Sequence, residues 1–254
     1  MIAETQMAET APTHIVIDSG LWRGLTVEVV SISAPGRRRH ANSDARLSVA
    51  TRGLFAVADG VSTMPGSAGA AQRCLEYLSG ELRAASNRDA ETLSRIVRHV
   101  SGRIFAEGRA RRSGLEAGAC TLDGIALDAD AITVFHVGDG GVWLGGPGEM
   151  RLATTAQNAF EASARNPERN ALRLAAAIGA RPVVDPWVAR APLTAPGAAL
   201  IATDGVEDPE ALTQAPWFQH RDDANGFAAT LEAIAATDHS DDMTLVAARW
   251  RPGA

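Results

Sequence analysis

Two cysteines, Cys74 and Cys120, stand far apart in apolar segments, which excludes a disulfide framework and a thiolate metal site. Cysteine use this sparse suits a reduced, cytoplasmic protein. Basic residues are also in deficit: 24 Lys and Arg face 30 Asp and Glu, a net charge of −6. Nucleic-acid binders are usually basic, so that class is disfavoured. No apolar run reaches the roughly 18 residues of a transmembrane helix, so no membrane partner is expected. Residues 1–12 carry two glutamates, no basic residue and no apolar core. They do not read as a signal peptide and are expected to form a disordered lead-in. His40, His220 and His239 lack zinc-site spacing and are expected at the surface or as caps. The Gly-rich stretch 138–146 is not followed by Gly-Lys-Ser/Thr, which argues against a phosphate loop.

What is present is an apolar chain, 46% hydrophobic over 254 residues, enough for one large domain or two small ones. Its centre of organisation is residues 54–61, an apolar run that ends in Asp59-Gly60-Val61. The ending recurs at Asp204-Gly205-Val206, after the apolar run 198–203. Asp-Gly is a common turn pair. A carboxylate at the end of a buried strand is nevertheless costly unless its charge is compensated, and a hard cation is the usual compensation.

The spacing predicts strands over 14–18, 25–33, 46–50, 54–58, 119–127, 131–137, 188–190, 198–203 and 243–250. Segment 138–146 reads as strand, tight turn and strand. Helical periodicity marks Ala71 to Leu82 and Leu93 to Ile104, with Asn87 or Asp89 as the second cap. Further helices are expected over 166–178, 207–214 and 223–236. Strands joined in pairs by short turns indicate antiparallel hairpins, not βαβ units. The expectation is an α+β fold, a four-layer α-β-β-α sandwich. Two antiparallel sheets pack face to face, flanked by helices, in a single domain over 13–254.

Asp44, Asp59, Asp139, Asp204, Asp241 and Asp242 all fall at strand ends beside small residues. Gathered at one edge of a sandwich they would repel unless Mg²⁺ or Mn²⁺ sat among them, the ions that oxygen-only ligands favour.

These residues carry a resemblance to the metal-dependent protein phosphatases (PPM, type 2C), compact bacterial-type members among them. In the family's order, Arg39-His40-Ala41-Asn42-Ser43-Asp44 resembles the opening Arg…Asn-Gln/Glu-Asp motif. Phe55 to Val61 resembles the Asp-Gly metal strand, and Gly118-Ala119-Cys120-Thr121 the Gly-Thr/Ser-Thr strand. His136-Val137-Gly138-Asp139 resembles the Gly-Asp-Ser motif. Asn166-Pro167-Glu168-Arg169-Asn170 with Ala177-Ile178-Gly179 resembles the helix ending in Leu-Gly. Ala202-Thr203-Asp204-Gly205 and Ser240-Asp241-Asp242-Met243-Thr244 resemble the last two metal motifs.

The resemblance implies a serine/threonine protein phosphatase, in which a hydroxide bridging two Mn²⁺ or Mg²⁺ ions attacks the phosphate. By position, Asp59 would bridge the ions and the Gly60 carbonyl would hold one of them. Asp204 and Asp241 would hold the other, and Asp139 a third, weaker ion. Arg39 would clamp the phosphate through its planar fork. Ser43, Asp44 and Asp242 would act behind the ligands through bound water. The partners implied are phosphorylated proteins and a serine/threonine kinase or its targets.

The departures are Ser43 for Gln/Glu, Ser62-Thr63 for Gly-Gly, Gly140-Gly141 for Ser-Arg, Val61 for a histidine, and a short flap before Asn166. They keep a second reading open: a catalytically weak regulatory domain that binds a kinase or another signalling partner. A third, an aspartate-nucleophile phosphohydrolase, needs an Asp-x-Asp pair after an early parallel strand. Asp128-Ala129-Asp130 has the spacing but lies between two hairpin strands.

Overall fold

The computed structural model describes residues 13–37, 39, 41–110, 118–158, 174–219, 221, 223–237 and 239–253. One sheet has six strands in the order β1-β2-β11-β10-β7-β8. They are β1 (His14–Trp22), β2 (Leu25–Ala34), β11 (Met243–Pro252), β10 (Gly197–Ala202), β7 (Gly141–Gly146) and β8 (Glu149–Leu152). The other sheet has five, β3-β4-β5-β6-β9. These are β3 (Ala45–Val49), β4 (Leu54–Ala58), β5 (Leu122–Leu127), β6 (Ala131–Val137) and β9 (Trp187–Pro192). Every pairing between these strands is antiparallel. That matches the expected sandwich and rules out the parallel α/β scaffold of an aspartate-nucleophile enzyme.

The central strands read as continuous apolar runs because both faces of each sheet are covered there. In β4, Leu54, Ala56 and Ala58 face the helices α1 (Ser67–Ala84) and α2 (Ala90–Ala110), while Phe55 and Val57 face the other sheet. In β2, Val30 and Ile32 face α3 (Pro209–Thr213) and α4 (Ala224–Ala235), whereas Val27 and Val29 enter the middle layer. Under α4, Trp217 and Phe227 stack with centroids 4.9 Å apart, and Phe218 meets both edge-on. Asp89 caps α2 by accepting from Thr92 N at 2.8 Å, and Asn87 accepts from the Thr92 hydroxyl. Cys74 and Cys120 are buried core residues.

Two expectations need correction. Strand β8 is an addition to the expected set: Glu149-Met150-Arg151-Leu152 alternates charged and apolar residues, but over only four largely exposed positions, too short a run to mark a strand. The expected helix over 166–178 is not helical at 174–178, where Leu174 and Ile178 form isolated bridges to Asn158 and Cys120. The remainder of that helix lies outside the described residues, as do residues 1–12 and most of the flap. No described helix is long and apolar enough to cross a membrane.

Candidate functional site

At one end of the sandwich the chain crosses between sheets, after β2 and after β6. The same end holds the last residues of β4 and β10 and the first of β11. Asp59 follows β4 directly. Its N–H donates to Thr121 Oγ1 at 3.0 Å, and its carbonyl accepts from Thr121 N at 2.8 Å. Gly60 continues the pairing with Cys120, so the carboxylate is fixed at the sheet rim. A Cβ on Gly60 would lie 2.7 Å from the Ser43 carbonyl oxygen, a backbone approach that only glycine allows.

The other sheet supplies Asp204 from the end of β10, and Asp241 and Asp242 from the approach to β11. Thr203 N donates to Thr244 O at 3.0 Å and holds these two ends together. Gly205 packs so tightly here that a Cβ would stand 2.0 Å from the Asp242 carbonyl oxygen. Asp242, 2% exposed, staples the β2–β3 connection. It accepts from Gly36 N at 2.9 Å through Oδ1 and from Ser43 N at 2.7 Å through Oδ2. The connection brings in Arg39, whose Nη2 donates to Asp241 Oδ1. It also brings Asp44, which accepts from Thr203 Oγ1 at 3.0 Å. Thus Arg39, Ser43, Asp44, Asp59, Gly60, Asp204, Asp241 and Asp242 meet from separate stretches of chain.

Asp139 follows β6 and lines a cleft of about 180 Å³ together with Asp204, Thr203 and Thr154. It stands near enough to feel the charges of Asp204 and Asp59.

The carboxyl groups resist ionising together. Burial, then the charge of Asp204, with Asp241 and Asp242 adding, raises Asp59 to about 6. Burial, then Asp204 and Asp59, raises Asp139 to about 7. Burial and then Asp241 push Asp204 up. Asp44 is pushed well up by burial and then by Asp59, with which it shares a hydrogen bond. Asp44 Oδ1 is buried and has no hydrogen-bond partner among the described residues. Only oxygen donors converge here, with an orphaned buried oxygen among them. This is a donor set that fits a hard divalent cation.

Among the described residues no three carboxylate, imidazole or thiolate side chains already stand at ligand geometry. Asp241 shows why: its Oδ1 is taken by Arg39 and by its neighbour's N–H, Asp242 N, at 2.8 Å.

Sequence reasoning passed over a buried pair behind the site. Asp123 and His136 are direct cross-strand partners in the β5–β6 hairpin, both fully buried, with Oδ1 and Nδ1 2.5 Å apart. His136 Nε2 donates to the Thr155 carbonyl at 3.1 Å, so a single proton is shared between Nδ1 and Asp123. Burial opposes charge on His136, but the hydrogen bond and charge of Asp123 outweigh it and raise the imidazole. Asp123 Oδ2 has no partner among the described residues and lies 2.3 Å from where a Cβ on Gly140 would be, next to Asp139. The signal was available: the 128–130 turn places residue 123 opposite residue 136.

His239 is buried, not superficial; its ring spans the carbonyls of Thr237 at 3.0 Å and Pro35 at 3.1 Å. His40 and His220 lie outside the described residues.

The family profile described as Protein phosphatase 2C matches residues 37–245. A comparison with curated proteins returns no match. Among solved structures, the catalytic domain of the serine threonine protein phosphatase PstP, in complex with 2 manganese ions, superposes with a TM-score of 0.73. It is 23% identical, and the match covers 89% of this chain and 99% of that one. PppA, described as a key regulatory component of T6SS in Pseudomonas aeruginosa, gives 0.73 at 19% identity, over 92% and 100% of the two chains. The serine/threonine phosphatase Stp1 from Staphylococcus aureus gives 0.71 at 16% identity, over 92% and 99%. At these identities the likeness shows the fold, and the profile match over most of the chain shows the family. The chain belongs to the protein phosphatase 2C family.

Proposed function

We propose that the chain is a cytoplasmic serine/threonine protein phosphatase acting on phosphoserine and phosphothreonine in proteins, with Mn²⁺ or Mg²⁺ at the carboxylate end. The observation that carries the reading is the convergence of Asp44, Asp59, Asp204, Asp241 and Asp242. Asp44, Asp59 and Asp204 are pushed up by burial and by neighbouring carboxylates. Such charge is kept together at a cost unless a cation compensates it.

Asp59 and the Gly60 carbonyl would hold one ion, with Asp59 shared by the second; Asp204 and Asp241 would hold that second ion, and Asp139 a weaker third. Bound ions supply positive charge against the phosphate and lower the pKa of water toward neutrality. The chain's own residues do the positioning. Asp242 fixes the loop that carries Arg39, and Asp44 ties Asp59 to the β10–β11 rim through Thr203. For Arg39 to grip a phosphate in its fork, its contact with Asp241 must open, and the same movement frees Asp241 for a cation. Ser43 contributes only backbone here, its N–H to Asp242 and its carbonyl beside Gly60. Residues 13–254 would form one catalytic domain, with a short flap before Asn166.

The Arg39–Asp241 pair also favours the second reading, a regulatory domain that retains the fold and binds a kinase or other signalling partner. A phosphopeptide assay separates the two. We expect turnover with Mn²⁺ that vanishes with chelator and falls at least a thousandfold in Asp59→Asn. Turnover that survives exhaustive chelation would remove the catalytic proposal, and its absence with Mn²⁺ in the parent would favour the regulatory domain.

A further inference from the structure

The opposite end of the sandwich carries a second polar cleft, and its charge is inverted. β2 spans ten residues between the two ends, so they lie about 30 Å apart. The cleft has a volume of about 280 Å³ and is lined by Arg23, Arg52, Arg83 and Arg88, with Asp128 as its only carboxylate among the described residues. Asp128 is already engaged by Arg190, 3.6 Å away. Among the described residues no carboxylate pairs with Arg23, Arg52 or Arg83. In a chain of net charge −6, this is a local excess of the other sign.

Two features mark the cleft as built. Arg88 is half-buried and spends its guanidinium on the carbonyls of Arg52 and of Leu127, the latter at 3.0 Å. It pins the β3–β4 and β5–β6 turns to the α1–α2 loop and fixes the cleft wall. Arg23 sits at φ +46° ahead of Gly24 at φ +80°, in the tight turn between β1 and β2. Both central residues of that turn need positive φ, a position that asparagine, aspartate or glycine fills without strain. An arginine held there is strained backbone that aims a cation at the cleft.

We propose that this cleft binds a phosphate dianion, free or esterified, held by the forks of Arg23, Arg52 and Arg83 with Arg88 behind them. The site is independent of the carboxylate end.

The test is thermal melting of the full chain in chelator, so that no phosphate ester is turned over. Inorganic phosphate or O-phosphoserine is compared with sodium chloride of equal ionic strength. At ten times the dissociation constant, phosphate should raise the melt by about 4 °C. Arg39→Ala should keep the shift. Arg83→Gln and Arg23→Gly should each weaken binding roughly tenfold. The glycine variant relieves the turn, so loss of folding cannot account for its effect. A shift with inorganic phosphate and O-phosphoserine alike assigns the phosphate group itself. A shift with only one of them assigns that source. No shift with either, or a shift lost in Arg39→Ala and kept in both cleft variants, overturns the proposal.

Discussion

Replacing Asp139 by asparagine should stabilise the cation-free protein at pH 8 and do much less at pH 5. The carboxyl is raised from its ordinary 3.8 to about 7 in the fold, by burial first and then by Asp204 and Asp59. The folded state therefore holds this proton more tightly than the unfolded chain does. Its stability contribution is complete at low pH and is lost as pH rises from about 4 to about 7. Above that window the folded protein carries the full cost of the charge. Three units of displacement correspond to about 4 kcal/mol unscreened. Asp139 is partly open to water, and screening brings this to about 2 kcal/mol. For a chain of this size that is about 5 °C in melting temperature at pH 8, and roughly a third of it at pH 5. Added Mn²⁺ should shrink the advantage, because a cation compensates the charge that the asparagine removes. Melts of parent and variant at the two pH values decide the matter. An equal shift at pH 5 and pH 8 would show that the Asp139 carboxyl is not raised in the fold.

Three further substitutions test the proposed roles and the packing. Arg39→Ala should raise KM for a phosphopeptide and lower turnover at least tenfold, whereas Arg37→Ala, whose guanidinium reaches the Ala236 carbonyl at 3.2 Å, should change either by less than about twofold; equal damage would place the phosphate clamp elsewhere. Gly205→Ala puts a Cβ 2.0 Å from the Asp242 carbonyl oxygen and should cost at least about 2 kcal/mol by denaturant unfolding, since backbone must move.

The sequence announces what has local chemistry and hides what arises from pairing. Asp59 and Asp204 are legible because each ends an apolar run and precedes glycine, and the sandwich is legible because apolar strands come in pairs. Asp123 and His136 look like isolated polar interruptions until the hairpin register sets them face to face. The arginine cleft is invisible for the same reason. Its four guanidinium groups come from the β1–β2 turn, the β3–β4 turn, the end of α1 and the α1–α2 loop. The stretch 174–178 has helical spacing, yet Ile178 bonds to Cys120 in both directions, N to O at 2.8 Å and O to N at 3.1 Å, and tertiary pairing overrides the local period.

The two sheets contribute different carboxylates: Asp59 leaves the five-stranded sheet, while Asp204 and Asp241 belong to the rim of the six-stranded one. The side chains between the sheets, among them Phe55, Val57, Ile201 and Val246, are therefore a spacer as well as a core. Stacked sheets stand about 10 Å apart, a separation set by the bulk of the residues that interdigitate. The gap across which a cation would be shared is thus fixed by apolar side chains that line neither carboxylate. A change in their size that leaves the protein folded still resets that gap, as a shim alters the opening of a jaw.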